Sequence, residues 1–293
     1  MRSIRAAQKR FLVACLVPII GAFTLFMLLP LGLGLGLSFF KYNLMFPSHP
    51  FVGINNYQKL FGDSLAISSL LRTLIFIIYK VPLCVGVPLV LVLLLENSKG
   101  KNFFRTVYFL PAVMSGVSVA LLWRFIYSPV GGLLNALLAI FGFRRIGWLS
   151  DPSTALISIV LVDFWQSFGL NTIILLAGLD GIPKVFYEVA QIDGASRWKV
   201  TLHITLPLLQ RVLVFAITIA FISSFKIFDI IWIMTRGTAG PMNSTRLFAI
   251  DIYMNAFQNL KFGYASAEAV FLLFIVLGFV FIEMRIGRQK WEF

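Results

Sequence analysis

The chain has 293 residues, of which 59% are hydrophobic and only 13% are Asp, Glu, Lys or Arg, about half of the roughly 25% charge of an ordinary soluble domain. That supply of charge cannot cover a water-exposed surface, and the apolar runs exceed the roughly 18 residues that suggest a bilayer crossing. A soluble enzyme and a disordered tail are both excluded, and the net charge of +13 fits loops at a phospholipid surface better than nucleic acid, for which no basic cluster interleaved with aromatics is present.

Read with a bilayer-length window, the apolar stretches fall near 11–38, 70–95, 106–127, 154–179, 208–234 and 265–282, six spans of an all-α integral membrane protein. The first follows Arg2, Arg5, Lys9 and Arg10 in the manner of a signal peptide. It runs on through Pro30 to Leu37 without an A-x-A cleavage pattern, so it is expected to be a retained helix. Pro82 and Pro88 in the second span and Pro111 in the third predict kinks or broken helices, which lipid tolerates where neighbours satisfy the freed carbonyls. Phe51, Val52, Ile54, Tyr57, Leu60 and Phe61 after the first span, and Leu133, Leu134, Leu137 and Leu138 after the third, predict short helices lying along the membrane surface. Cys15 and Cys84 each sit inside an apolar run, so neither a disulfide framework nor a metal site is suggested.

Placing the amino terminus in the cytoplasm puts fourteen Lys and Arg inside, including Lys99, Lys184, Arg197, Lys199, Arg211, Arg288 and Lys290, against ten spread over longer outer connections. The inner density is higher, so both termini are expected to face the cytoplasm. The chain then divides into residues 1–69 (amino terminus, first span and outer loop), a five-span core over 70–283, and a cytoplasmic tail over 284–293.

Residues 180–207 form the longest cytoplasmic connection and read as helix, turn, helix. Pro183 suits a first helical turn; Val185, Val189 and Ile192 recur on one apolar face, with Glu188 and Gln191 on the other side. Gly194 ends that helix with a residue that tolerates positive φ. Ser196 suits the cap of a second short helix, in which Trp198 and Leu202 are neighbours, before Pro207 opens the fifth span. On periodicity alone the plainer alternative is a pair of helices lying in the headgroups.

Glu188, Ala190, Asp193, Gly194, Ala195, Ile204, Leu206 and Pro207 resemble the E-A-A loop of bacterial binding-protein-dependent ABC importer permeases, written roughly E-A-A-x-x-D-G-A followed by I-x-L-P. The resemblance extends over nearly the whole chain, through FVGINNY from Phe51, FRTVYFLP from Phe104, GPMNST from Gly240 and GYASAEA from Gly263, which look like a sugar permease of the maltose and glycerol-phosphate type. Val189 stands for the second alanine, Leu202 where phenylalanine is frequent, and Arg211 where proline is frequent. The resemblance implies a type I ABC importer permease, multi-pass in the bacterial inner membrane. Its loop would be a coupling helix seated in a cytoplasmic ATPase, with Glu188, Ala190, Asp193, Gly194 and Ala195 as the coupling residues. It further implies a second homologous permease, two ATPase subunits that use ATP and Mg, an extracytoplasmic solute-binding protein and a carbohydrate cargo, with no cofactor bound by this chain.

Ionisable groups inside a bilayer are costly enough to be candidates for function, and Arg72, Lys80, Arg124, Asp163, Lys226 and Asp229 are the ones to weigh. Arg72 and Arg124 lie near span ends and can snorkel. Lys226 and Asp229, three residues apart, suit a simple pair. Asp163, Gln166 and Asn171 in span four offer a carboxylate beside amides that would suit sugar hydroxyls, and interhelical hydrogen bonding explains them equally well. Together with Lys226 and Asp229 they are the candidate substrate pathway.

Bond-making chemistry is not indicated: His49 and His203 fall on opposite sides of the membrane, and no G-x-x-x-x-G-K-[ST] loop is present, so any ATP must be hydrolysed by another chain. The competing reading is a nucleotide-independent secondary transporter with Asp163 or Asp229 as its coupling group; a membrane-embedded hydrolase lacks a nucleophile, base or metal cluster. Arg144, Arg145, Arg236 and Arg246 on the outer side would suit an anionic saccharide, and equally acidic headgroups or a docking protein.

Overall fold

The computed structural model describes residues 2–95 and 101–286. Lys99, Arg288 and Lys290 of the inner charge set, and the tail from 287 onward, lie outside the described residues. The elements are helical from end to end: α1 (Arg2–Phe23), a π-helical turn, α2 (Leu29–Leu37), α3 (Asn55–Gly62), α4 (Ser64–Leu95), α5 (Lys101–Val113), α6 (Gly116–Ile126), α7 (Leu133–Ile140), α8 (Pro152–Asp180), α9 (Val185–Ile192), α10 (Arg197–Val200), a second π-helical turn, α11 (Leu206–Lys226), α12 (Asp229–Met234), α13 (Phe248–Tyr253), a third π-helical turn and α14 (Phe262–Ile286). Extended pairing among the described residues is a single antiparallel bridge between Phe40 and Phe51.

Five helical segments are long and apolar enough to cross a bilayer: Phe11–Leu37, Ser64–Leu94, Pro152–Asp180, Arg197–Lys226 and Phe262–Arg285. The bent pair Thr106–Val113 and Gly116–Ile126, which turns through 101°, brings the candidates to six if the two are counted as one span. Short helices form in both connections where they were expected, α3 and α7.

Of the two outcomes expected at the span-two prolines, a break does not occur: α4 runs unbroken through Pro82 and Pro88, since the fixed φ of proline is itself helical and one backbone hydrogen bond is forfeited at each. The real breaks lie elsewhere. Four residues after Pro111, Ser115 turns extended at ψ 136°, and the freed Met114 carbonyl is taken up by the Gln166 amide at 2.9 Å. Span five, read as one stretch over 208–234, ends at Lys226, where Ile227 is extended at ψ 117° and a new short helix begins at Asp229.

The chain clusters into two compact units. The first, 1–64 with 252–274, gathers two of the quoted motifs. Within FVGINNY the Asn56 amide donates to the carbonyls of Ser38 at 2.8 Å and Phe40 at 3.0 Å, and the Tyr57 hydroxyl donates to Ser38 Oγ. Within GYASAEA a Cβ at Gly263 would overlap the Phe40 carbonyl, so that close approach requires glycine. Tyr264 donates to Asp63, and the fully buried Glu268 accepts from Asn255 through both oxygens.

The second unit, 65–251 with 275–293, is organised around α8. α5, α6 and α11 pack on it, and α6 also packs on α12. A Cβ at Gly169 would overlap the Tyr108 carbonyl, which fixes how closely α5 and α8 can pass. Its core runs from Cys84, Val85 and Val92 of α4 through Leu175, Leu176 and Leu179 of α8 to Leu209, Ala216 and Ala220 of α11.

Candidate functional site

The connection from α8 to α11 is a helix, a tight turn and a second helix. Phe186 N donates to the Pro183 carbonyl and Glu188 N to the Lys184 carbonyl. Pro183 therefore stands just before the first turn, with Lys184 as the cap. At the far end Gly194 adopts φ +68°, with Gly194 N donating to Gln191 O at 3.1 Å and Ala195 N to Ala190 O at 2.9 Å. These two bonds form a Schellman closure, the geometry for which glycine is favoured because a Cβ is strained at that φ. No other atom lies within 4 Å of where that Cβ would be, so the backbone angle and not crowding selects the residue.

The second helix differs from the expectation. Ser196 occupies the cap position of α10, but its side chain makes no capping hydrogen bond. α10 passes through the π-helical turn Thr201–Thr205 directly into α11, so Arg197–Lys226 is one helix and its first turns are the root of span five. The loop thus joins two spans through one helix and one turn.

α9 has apolar residues on two faces. Phe186 and Tyr187 pack on the core of α4, α8 and α11, and Ala190 is buried. The face predicted from sequence, Val185, Val189 and Ile192, is the outward one, with Ile192 85% exposed, and Trp198 nearby is 71% exposed. Between α9 and the root of span five lies a groove of about 740 Å³ lined by Val185, Val189, Asp193, Lys199 and His203 among others. Glu188 and Asp193 are exposed, leaving both carboxylates accessible for a cationic partner. The inward face explains the loop's attachment; the outward one stays exposed among the described residues.

Inside the membrane the polar groups sort differently. Lys80 stands midway along the second span and is 1% exposed. Its ammonium lies 2.6 Å from Asp163 Oδ2 of α8 and donates to Ser223 Oγ of α11 at 2.9 Å, so one cation touches three spans. One turn along, Cys84 Sγ and Ser167 Oγ are 3.2 Å apart, and Ser167 donates to the Asp163 carbonyl. Asn171 is buried. Lys226 and Asp229 are exposed; the helix break between them removes the shared face that would have paired them, and no ion pair joins them among the described residues. The Asp229 side chain instead lies beside Gly116, at the start of α6. Arg72 donates to Ser68 Oγ, and Arg124 to the Ile233 carbonyl.

Residues 64–288 match the family described as binding-protein-dependent transport system inner membrane component. The chain belongs to that family. Among curated proteins it is 36% identical over 94% of its length to the probable ABC transporter permease protein YesP of Bacillus subtilis, covering 90% of that protein. To the lactose transport system permease protein LacF of Rhizobium radiobacter it is 33% identical over 93% of its length and 92% of that protein's. Two solved structures share the fold. A bacterial ABC transporter involved in import of the acidic polysaccharide alginate aligns with TM-score 0.84 at 25% identity over 100% of both chains. The alginate ABC transporter in complex with an alginate pentasaccharide-bound periplasmic protein aligns with TM-score 0.81 at 25% identity, over 96% of this chain and 95% of that one.

The chain is thus a multi-pass type I ABC permease, and the nucleotide-independent reading is set aside. Glu188, Ala190, Asp193, Gly194 and Ala195 lie on one short stretch, α9 and its closing turn. The pathway residues do not: Asp163 and Gln166 are engaged inside the bundle, Asn171 is buried, and Lys226 with Asp229 flank a break. Sequence reasoning passed over Phe186 and Tyr187, whose signal is an aromatic pair one position off the predicted stripe. Lys80 stands among the mid-membrane ionisable groups weighed from sequence but was given no place in the pathway, although a lone mid-span lysine implies an acidic partner elsewhere in the bundle. Among the described residues no group of three His, Cys, Asp or Glu is placed to hold a metal.

Proposed function

We propose that this permease forms half of the membrane pathway of an ATP-driven importer for a sugar or oligosaccharide, beside a second homologous permease. Two ATPase subunits using ATP and Mg would serve it from the cytoplasm, and a solute-binding protein would deliver the cargo from outside. The lactose relative and the alginate importers support carbohydrate cargo, and the complex with a periplasmic protein supports delivery from outside. Residues 70–283 would be the core, with both termini cytoplasmic.

The observation that carries the reading is the outward apolar face of α9 beside exposed Glu188 and Asp193, on a loop whose inward face is seated on three spans. Ala190 holds the loop down, Gly194 turns it and Ala195 closes the turn; Glu188 and Asp193 meet cationic groups of the ATPase. A displacement of the docked loop then reaches α4, α8 and α11 through Phe186 and Tyr187, a rigid-body route to alternating access. Lys80 ties the same three spans further along, and because separated charges are costly in a bilayer the tie stays closed during the stroke.

A pathway shared with a second subunit runs over surface that the single chain exposes. Lys226 and Asp229 meet that condition; Asp163, Gln166 and Asn171 lie behind it and shape the wall. The test is a pull-down from detergent-solubilised membranes with mass spectrometry. A Walker-motif ATPase should accompany the wild type and be missing from a Glu188→Lys, Gly194→Trp variant; its absence from both would refute the assignment.

A further inference from the structure

The hairpin between spans three and four, residues 128–151, is a stiff paddle with its apolar side turned outward. Asn135, 4% exposed, closes it from within: Oδ1 accepts from Ile146 N at 3.0 Å and from the Trp148 indole N–H at 3.3 Å, and Nδ2 donates to the Ile146 carbonyl at 3.0 Å. Tyr127 stacks on Trp148 with centroids 5.3 Å apart and donates its hydroxyl to the Ser158 carbonyl of α8 at 3.2 Å, fixing the paddle's root to span four. Gly142, at φ +72°, ends α7 with bonds from Gly142 N to Ala139 O and from Phe143 N to Leu138 O. The outward side presents Leu133, Leu137, Ile140, Phe141 and Phe143, the last three 76%, 73% and 66% exposed. Arg144 and Arg145 follow at once, both exposed, and neither side chain is engaged by any described residue.

Both ends of the hairpin are membrane spans, so it lies at the membrane border whatever its orientation, on the side opposite the coupling loop because span four separates the two. An apolar stripe followed immediately by two cations matches the boundary between acyl chains and phosphates. A protein that docks and leaves would return the stripe to water in every cycle, and exposed apolar patches of that kind are unfavourable. We infer that the paddle is seated in the outer leaflet, its stripe among the acyl chains and Arg144 and Arg145 on lipid phosphates, with a preference for anionic phospholipid. The root at Tyr127 and Trp148 is thereby held at fixed depth while the neighbouring spans move. Of the outer basic residues, Arg246 is already committed to Asp251, with Nε at 2.7 Å; Arg144 and Arg145 stand exposed directly beside the apolar stripe, with charge to give to headgroups. The inference is independent of the cargo and of the ATPase.

The full chain in nanodiscs, with Cys15→Ala to remove the accessible native thiol, tests it. A nitrobenzoxadiazole probe on Ile140→Cys is compared with the same probe on Ile192→Cys, an equally apolar position on the coupling loop. In phosphatidylglycerol–phosphatidylcholine discs the Ile140 probe should be quenched by lipids carrying a nitroxide near the glycerol end and the Ile192 probe by a water-soluble quencher. Removing phosphatidylglycerol should shift the Ile140 emission to the red in the wild-type background and leave it unchanged with Arg144→Gln and Arg145→Gln. An Ile140 probe as accessible to the aqueous quencher as Ile192 overturns the seating, as does protection that arises only on adding the binding protein. Identical wild-type emission with and without phosphatidylglycerol overturns the headgroup preference.

Discussion

The coupling loop and the Lys80 cluster belong to the same unit, yet they are built in different ways. The loop is turned by its backbone, through the Gly194 closure, is seated by Phe186 and Tyr187, and presents apolar and acidic side chains outward. The Lys80 cluster is held by side chains alone, Asp163 and Ser223, and turns its charge inward at 1% exposure. The first is a surface made to be touched by another molecule, and its shape survives whatever its partner does. The second is a tie whose separated halves would be costly in lipid, so its value lies in staying closed.

Removing one half of the tie has the largest expected effect. Lys80→Met leaves Asp163 buried and uncompensated, a loss of about 3–5 kcal/mol, read as a lower unfolding midpoint in detergent. Lys80→Met with Asp163→Asn should recover most of it; a double variant no better than the single would show that the two groups are not coupled. Overpacking comes next. Gly169→Ala forces α5 away from α8 at the Tyr108 carbonyl, costing about 1–3 kcal/mol, and wild-type stability would mean the two helices are not locked there. Gln166→Leu leaves the Met114 carbonyl without its donor, for about 1–3 kcal/mol; an unchanged midpoint would show that water or another group can fill the break in span three.

The smallest effect lies at the start of α8, where Ser153 donates its backbone N–H and its hydroxyl to Asp151. These bonds hold the Asp151 carboxyl below the usual carboxylate range. The cap therefore contributes fully above the unfolded Asp value of about 3.9 and is lost as pH falls through the lower folded value. Asp151→Ala should lower the unfolding midpoint slightly at neutral pH and not at strongly acid pH; a difference that persists in acid would assign the effect to something other than the charged cap.

The contrast also governs what could be read from sequence. The loop was legible because its constraints are local: Glu188, Gly194 and Pro207 lie within twenty residues, and a positive-φ glycine after an apolar repeat has few other uses. Its inward face was missed because Phe186 and Tyr187 take their role from packing against a core assembled from several spans. The six crossings were legible from length and hydropathy, but their breaks were not. Pro82 and Pro88 fit inside a helix, whereas span five breaks at Ile227 and Phe228, where no proline stands and the dihedral angles alone make the turn. Lys80 meets Asp163 83 residues further on and Ser223 143 residues further on, and no local pattern announces such a meeting.

The most direct measurement is site-specific photo-cross-linking in native membranes, with a photoreactive residue at Ile192 on the coupling loop or at Ile140 on the opposite side. The account predicts a Walker-motif ATPase joined to the chain from Ile192, identified by mass spectrometry, and none from Ile140. An ATPase captured equally from both positions, or from neither, would contradict it.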